Sequence, residues 1–528
     1  MPQFSTRRRV RHSASDMFDL VADVRKYPEF VPMCQAMNVR SETEKGEDVS
    51  VVVAAMTVAY KLPGHTQFPE PALRFGGASD RNTDLHPLLG LSRFGPYSRD
   101  RLSGVANPIR IAMIAPAGGV DRLNRLMQEL EQPHRPKERK AYLPDYPGFS
   151  KLFGVSLAKA VGPTAIELPA DLQKQMAASP RPHQVLADAI TRALFALRNV
   201  RTEFDIVLIH VDRSWSDGFR TTDGEDFDLR HHLKAIAASE GICIQIVRDE
   251  GALGYYCRCS VAWRLGVALY TKAGGTPWVL ADVEPGTAFI GIDYAMRSDA
   301  GPASRYAICC SQVFDAEGSG MEFVAYEAND VRMFGKNPFL RRDQMLKVIS
   351  RSLLIYQRKH AGQSPRRIVV HKNTEFKPEE VEGCFDALPR TDAIDLVHVQ
   401  QSSGWRGMHI PEPRKPHGYP VHRGTALQLG AYETLLWTQG NLPAVANDRD
   451  YFKEGKGIPE PLMLVRYAGN GSMDDLCRQT LGLTKMDWNN DGPYDRLPVT
   501  LNFAQTLAKV VVRMPTLEPR SYPFRLFM

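Results

Sequence analysis

From Ile109 onward, apolar residues alternate between strand-length runs and helical stripes. Ile109–Ala115 (IRIAMIA) is a continuous apolar run of strand length, followed by a helical stretch around Leu123–Leu130. A helix over 183–199 and a strand over 205–212 (DIVLIHVD) come next, then a helix over 228–240 and a strand over 242–247 (ICIQIV). Strands alternating with helices predict a parallel α/β domain. A second pattern begins at Phe289. Strands over 289–295 (FIGIDYA), 305–314 and 321–327 follow one another, then a helix over 339–360 with Met345, Ile349, Leu353 and Tyr356 on one face. A strand over 367–371 (RIVVH) completes the set. Three meandering strands, a helix and a fourth strand is the order of an RNase H-like core.

The first 61 residues read differently. Gln3–Val10 is a candidate strand, Ser13–Asp16 a capping box, and Met17, Phe18, Leu20, Val21 and Val24 a helical stripe. Val51–Tyr60 is β-rich, so the block predicts strand, helix, strand. Residues 62–105 are rich in Pro, Gly and Arg and predict a linker or irregular lead-in. The predicted division is 1–61, 62–105, 106–282 and 283–528.

Composition narrows the picture only a little. A chain of 528 residues has room for two to four cores. A net charge of +6 permits a nucleic-acid partner without demanding one. The eight cysteines are irregularly spaced, and Cys257-Arg-Cys259 and Cys309-Cys310 lack the paired spacing of a zinc site. Reduced thiols and a cytoplasmic location are expected. The basic N-terminus (Arg7, Arg8, Arg9, Arg11) leads into an amphipathic stretch, which is neither a signal peptide nor a membrane anchor.

Two groups of residues carry candidate chemistry. Arg230 and Lys234 lie four apart on one predicted helix, which Asp228 can cap and Gly241 can end. Gln245 is a polar residue within the next strand, and Lys272 precedes a Gly-Gly turn in VALYTKAGGTPW. One helical lysine is ordinarily just solvated, but cations and an amide brought together suit a terminal phosphate. The second group is Asp293 in IGIDYA, Asn373 in VVHKNTEF, with Glu375 two positions beyond, and Asn502 in LPVTLNFAQTLAKVV.

Over residues 65–528 the chain resembles the short prokaryotic Argonautes. The likeness rests on FGG…DLHPLLGL…FGPYS, the spaced Arg230, Lys234, Gln245 and Lys272, KAGGTPW, IGIDYA, VVHKNTEF and LPVTLNFAQTLAKVV. It implies a Rossmann-like MID domain followed by an RNase H-like PIWI domain. In the family those four positions hold the 5′-phosphate of a guide, with His231 a further candidate to stack on its first base. Gln245 and the carboxylate of Met528 would help hold Mg²⁺ or another divalent cation on that phosphate. RNase H-like cleavage uses carboxylates to clamp two metal ions. The family's ligand places fall on Asp293, Asn373 and Asn502, two of them uncharged, so the resemblance implies no catalytic set and no cleavage by this chain. It further implies an RNA guide, a single-stranded DNA target, and a partner protein with an APAZ region and a sirtuin-like, TIR or nuclease effector. Together they would act in antiviral defence by abortive infection. An active guided nuclease is the alternative.

The N-terminal text MPQF…RRVRHSASDMFDLVADVRKYPEFVPMCQ…VAAMTVAYK resembles the START-like helix-grip family that carries ubiquinone and related lipids. The likeness stops at Lys61, short of the remaining strands and the gripping helix. It implies a partial α+β segment, a fused remnant or an adapted docking module, with lipid or quinone binding as a further alternative.

Overall fold

The computed structural model describes residues 37–45, 48–56 and most of 64–528; the longest stretches outside the described residues there are 100–104, 138–142, 222–226, 299–304, 408–419 and 515–520. The chain divides into two compact units, Met1–His65 and Thr66–Met528. In the first, strands β1 (Met37–Lys45) and β2 (Asp48–Met56) form an antiparallel pair. The predicted Gln3–Val10 strand, the Ser13–Asp16 capping box and the helix after it lie outside the described residues.

The second unit opens on residues read from sequence as a linker or lead-in. It is more ordered than its Pro and Gly content suggests. Phe68, Leu73, Phe75, Leu88 and Leu91 are buried in the main core. Helix α1 (Pro87–Phe94) is capped by His86, whose Nδ1 accepts from the Leu88 and Leu89 amides. A triad ties this segment to the far end of the chain. The buried Glu70 carboxylate meets Arg423 Nε at 2.9 Å and Lys485 Nζ at 2.8 Å. Such pairing is what lets three charges sit inside a core.

A parallel sheet follows. Its strands are β3 (Ile109–Ala115), β4 (Ile206–Val211) and β5 (Cys243–Arg248), in the order β5–β4–β3, with two short strands, Leu157–Ala158 and Ala165–Glu167, pairing parallel to β3. Every residue of β4 is buried, as expected for a strand covered on both faces. The helices are α2 (Val120–Leu130), α3 (Pro182–Arg198), α4 (Leu229–Ser239) and α5 (Arg258–Lys272). Asp228 caps α4 by accepting from the His231 amide at 3.1 Å, and Gly241 lies just past the helix end at φ +67°.

The second sheet is mixed. Strands β6 (Thr287–Ser298), β7 (Arg305–Phe314) and β8 (Gly320–Ala328) form an antiparallel meander. Helix α6 (Arg342–Lys359) then crosses over, and β9 (Arg367–Lys372) pairs parallel to β6. After α7 (Pro378–Ala387) comes β10 (Ala393–Gln400), parallel to β9, and then β11 (Leu462–Ala468), antiparallel to β10. This is the RNase H-like order. The helix predicted over 339–360 starts three residues later, at Arg342, because Asn337–Leu340 pairs with Val331–Phe334 as a hairpin, and its apolar stripe lies inside the helix as expected. Helix α8 (Val499–Val511) lies against β6, and a Cβ on Gly291 would meet the Thr500 carbonyl oxygen at 2.1 Å. Only glycine permits that approach. The last strand, β12 (Ser521–Pro523), pairs antiparallel with β8 and draws the C-terminal residues into the core.

Lys372 and Glu380 form a fully buried pair, with Nζ 2.7 Å from both carboxylate oxygens. Removing one partner strands the other charge. Glu380→Ala should cost about 3–5 kcal/mol in denaturant unfolding, whereas loss of the exposed pair in Lys347→Ala should cost under about 1 kcal/mol.

Candidate phosphate-binding site

Helix α4, strand β5, helix α5 and the C-terminal residues converge on one cavity of about 370 Å³. Arg230, His231, Lys234, Gln245 and Met528 all line it. Lys272 stands behind Met528. Lys234 Nζ donates to the Phe527 carbonyl at 2.7 Å, and Lys272 Nζ donates to Met528 O at 2.9 Å. Both lysines are buried, 3 % and 2 % exposed, so almost no water reaches either stem. The turn after Lys272 is made possible by Gly274 at φ +104°.

The C-terminal residues hold their place by apolar contacts. Leu526, Phe527 and Met528 are buried, and Phe527 stands edge-on to Phe323 at 4.4 Å. With β12 fixed on β8, this places Met528 at the cavity wall.

Electrostatics makes the site anion-seeking. Burial, then the nearby Arg230 and Lys272 charges, hold Lys234 well below the usual lysine range. Burial pushes Lys272 down to about 8. Burial also lowers His231, against the pull of Asp228, whose carboxylate is 3.6 Å from Nδ1. A dianionic ligand would favour the charged form of all these groups.

Sequence reading missed part of the lining. Arg220, Arg248 and Arg264 are also there. Arg248 lies over the Phe219 ring and Arg264 over that of Tyr255. Asn489 lines the cavity as well, and its backbone amide donates at 2.9 Å to the partly buried Asp487, which feels the charges of Lys234 and Arg230. Arg248 ends β5 and Arg264 lies on α5, whereas Arg220 precedes α4 and Asn489 comes from a segment over 200 positions away that no local spacing rule connects to the rest.

Gln245 and Met528 share the cavity wall, as a bridging cation would require. Gln245 Nε2 donates to the Ile246 carbonyl, which leaves Oε1 as the atom suited to a metal. The Lys272 contact occupies Met528 O, so the carboxylate's other oxygen is the one that fits a cation. A cation there would neutralise phosphate charge and bridge it to the chain's end.

The second candidate group lies on β6 and β9. Asn373 Nδ2 donates to Asp293 Oδ1 at 2.9 Å, and burial pushes the Asp293 carboxyl up to about 6. Glu375 turns instead to Lys377 at the surface. The neighbouring His371 is buried, its Nδ1 2.9 Å from Thr500 Oγ1 of α8, and burial takes it down to about 4. Asn502 is not hydrogen-bonded to Asp293. Its Nδ2 donates to Asp487 at 2.9 Å, on the phosphate-cavity side of α8. The α8 cation that Asp293 feels is Lys509.

A parallel α/β domain with a cationic cavity, joined to an RNase H-like domain, is an Argonaute-like fold. Comparison with known proteins gives the same likeness. The chain is 30 % identical over 168 residues to the protein argonaute of Thermus thermophilus, a match covering 32 % of this chain and 22 % of the relative. The fold matches A. aeolicus Argonaute with a TM-score of 0.56 at 15 % identity, covering 89 % of this chain and 56 % of that one. It matches Clostridium butyricum Argonaute, solved with a guide DNA (5′ deoxycytidine) and a 19-mer target DNA, with a TM-score of 0.56 at 13 % identity, covering 90 % and 56 %. The chain thus spans about half the length of these solved relatives (56 %) and about a fifth of the curated one (22 %). Residues 10–81 match the family described as polyketide cyclase / dehydrase and lipid transport. That match runs past Lys61 into residues that the second unit buries, Phe68 and Phe75 among them. Among the described residues, no helix is long and apolar enough to cross a membrane.

The ammonium form of Lys272 is what a phosphate needs, and its pKa lies near 8. Affinity for a 5′-phosphorylated oligonucleotide should therefore be greatest below pH 8 and fall as pH rises through it, measured by fluorescence anisotropy. A 5′-hydroxyl oligonucleotide should show a much flatter profile over the same range.

Proposed function

We propose that this chain is the guide-binding subunit of a prokaryotic immune system. It holds the 5′-phosphate of an RNA guide at Arg230, Lys234, Gln245 and Lys272, with His231 beside the first base. The guide pairs with single-stranded DNA, and the chain passes that event to an associated APAZ-domain effector. The carrying observation is the convergence of two buried lysines on the last two residues, at the wall of a cavity that Arg230, His231 and Gln245 also line. Lys234, a buried ammonium that meets a carbonyl and, among the described residues, no carboxylate, marks a place suited to an incoming anion. Phosphate contacts would supply affinity, and base pairing would supply sequence choice. A divalent cation on Gln245 and the Met528 carboxylate fits the same site.

The reading includes no cleavage by this chain. Two-metal hydrolysis needs several carboxylates around the ions. The Asp293 carboxylate has an amide, Asn373, as its partner, and Asn502 is engaged with Asp487.

Lys234→Ala with Lys272→Ala should weaken a 5′-phosphorylated guide by at least about a hundredfold, on the scale of two lost charge-assisted contacts of about 1.5–3 kcal/mol each. A 5′-hydroxyl guide should change far less, and equal weakening of both would remove the pocket assignment. With guide, target and Mn²⁺, the purified chain should leave the target intact. Guide-dependent cutting abolished by Asp293→Ala would instead establish an active nuclease.

A further inference from the structure

A second group of ligand-type side chains lies at the root of a turn that walls the phosphate cavity. His210 is the last residue but one of β4, Asp212 directly follows that strand and Asp249 follows β5, so all three stand at the carboxyl ends of neighbouring parallel strands. In open α/β sheets this is the edge where ligands bind. One ligand atom from each of the three lies within 4.8 Å of the others. Two donors about 2.1–2.4 Å from one metal ion can stand no farther apart than that.

The histidine is poorly satisfied without such an ion. Its side chain is 1 % exposed, its Nε2 has only a long 3.4 Å contact to Asp249 Oδ1, and its Nδ1 has no hydrogen-bond partner among the described residues. A buried polar ring in that state calls for an explanation, and an ion is one of the standard ones. Asp212 is oriented by the Ser214 amide, which donates to Oδ1 at 2.8 Å. Asp249 is pre-oriented by the Arg213 amide, 2.9 Å from Oδ2. The group that competes for Asp249 is Arg122, whose Nη2 sits 2.8 Å from Oδ1 and whose side chain is 43 % exposed. An exposed ion pair of this kind is weak and can swing aside.

We propose that His210, Asp212 and Asp249 form a divalent-cation site, separate from the phosphate cavity and from Asp293, with Arg122 as the internal cation that the metal displaces. One imidazole and two carboxylates suit Mn²⁺, with water completing the shell. The Asp249–Leu253 turn carries Gly251 and Ala252 to the cavity wall, so a bound ion would fix that wall at its root. The site itself does not depend on the guide-binding reading.

The test is Mn²⁺ titration of the full chain, without nucleic acid, followed by the loss of free-Mn²⁺ electron paramagnetic resonance signal. His210→Asn and Asp249→Asn should each weaken one bound Mn²⁺ at least tenfold, while Arg122→Gln should tighten it severalfold. Thermal melts of each variant establish that it is folded. Because Arg122→Gln predicts a gain, misfolding cannot imitate it. Titrations that superimpose for wild type, folded Asp249→Asn and Arg122→Gln would overturn the site. A single site lost instead in Asp293→Ala would assign the ion elsewhere and overturn it equally.

Discussion

Two buried ammonium groups set the terms for the rest of this structure. Lys234 Nζ points at the Phe527 carbonyl, with no carboxylate on it among the described residues, and Lys272 Nζ points at Met528 O. A desolvated charge costs several kcal/mol unless it is compensated. Here a few protein oxygens, the partly buried Asp487 and the cavity provide for that compensation. The arrangement is stable only if the chain's last residues stay in place, which explains why β12, Phe527 and the Phe323 ring are committed to holding them. The energetic strain of the site and its affinity for an anion are the same quantity seen from two sides.

Helix α8 connects the two candidate sites. Asn502 reaches Asp487 beneath the cationic cavity, while Thr500 holds His371 and its carbonyl presses on Gly291, two residues before Asp293. A side chain read from sequence as belonging to the nuclease site is therefore engaged at the phosphate site. On α8, Asn502 and Lys509 are seven apart, nearly on one face but separated by about 10 Å along the axis, so one reaches Asp487 while the other is felt by Asp293.

Much of the architecture was legible because it rests on local patterns. The apolar runs at Ile109–Ala115, Ile206–Val211 and Cys243–Arg248 are strands in the structure, and the Asp228 cap and Gly241 stop lie at the ends of α4. The hairpin over Val331–Leu340 was not legible, since its apolar residues also fit the helical stripe that follows. The lead-in over 66–99 was underestimated for a related reason. Its Phe68 and Phe75 become core residues only because distant segments cover them.

By itself, the sequence determined the order of strands and helices and the presence of Arg230, Lys234, Gln245 and Lys272 at spacings suited to a phosphate. It also puts Asn373, an amide, at the place where the resemblance expects a charged ligand. Tertiary structure alone decided that the cations meet the chain's end, that Arg220, Arg248, Arg264 and Asn489 join them, and that Asn502 faces Asp487. It alone gathered His210, Asp212 and Asp249 at one sheet edge. The physical reason is range. Periodicity and capping act within a few residues, whereas charge burial and ligand geometry depend on which distant segments the packed core brings within a few ångströms.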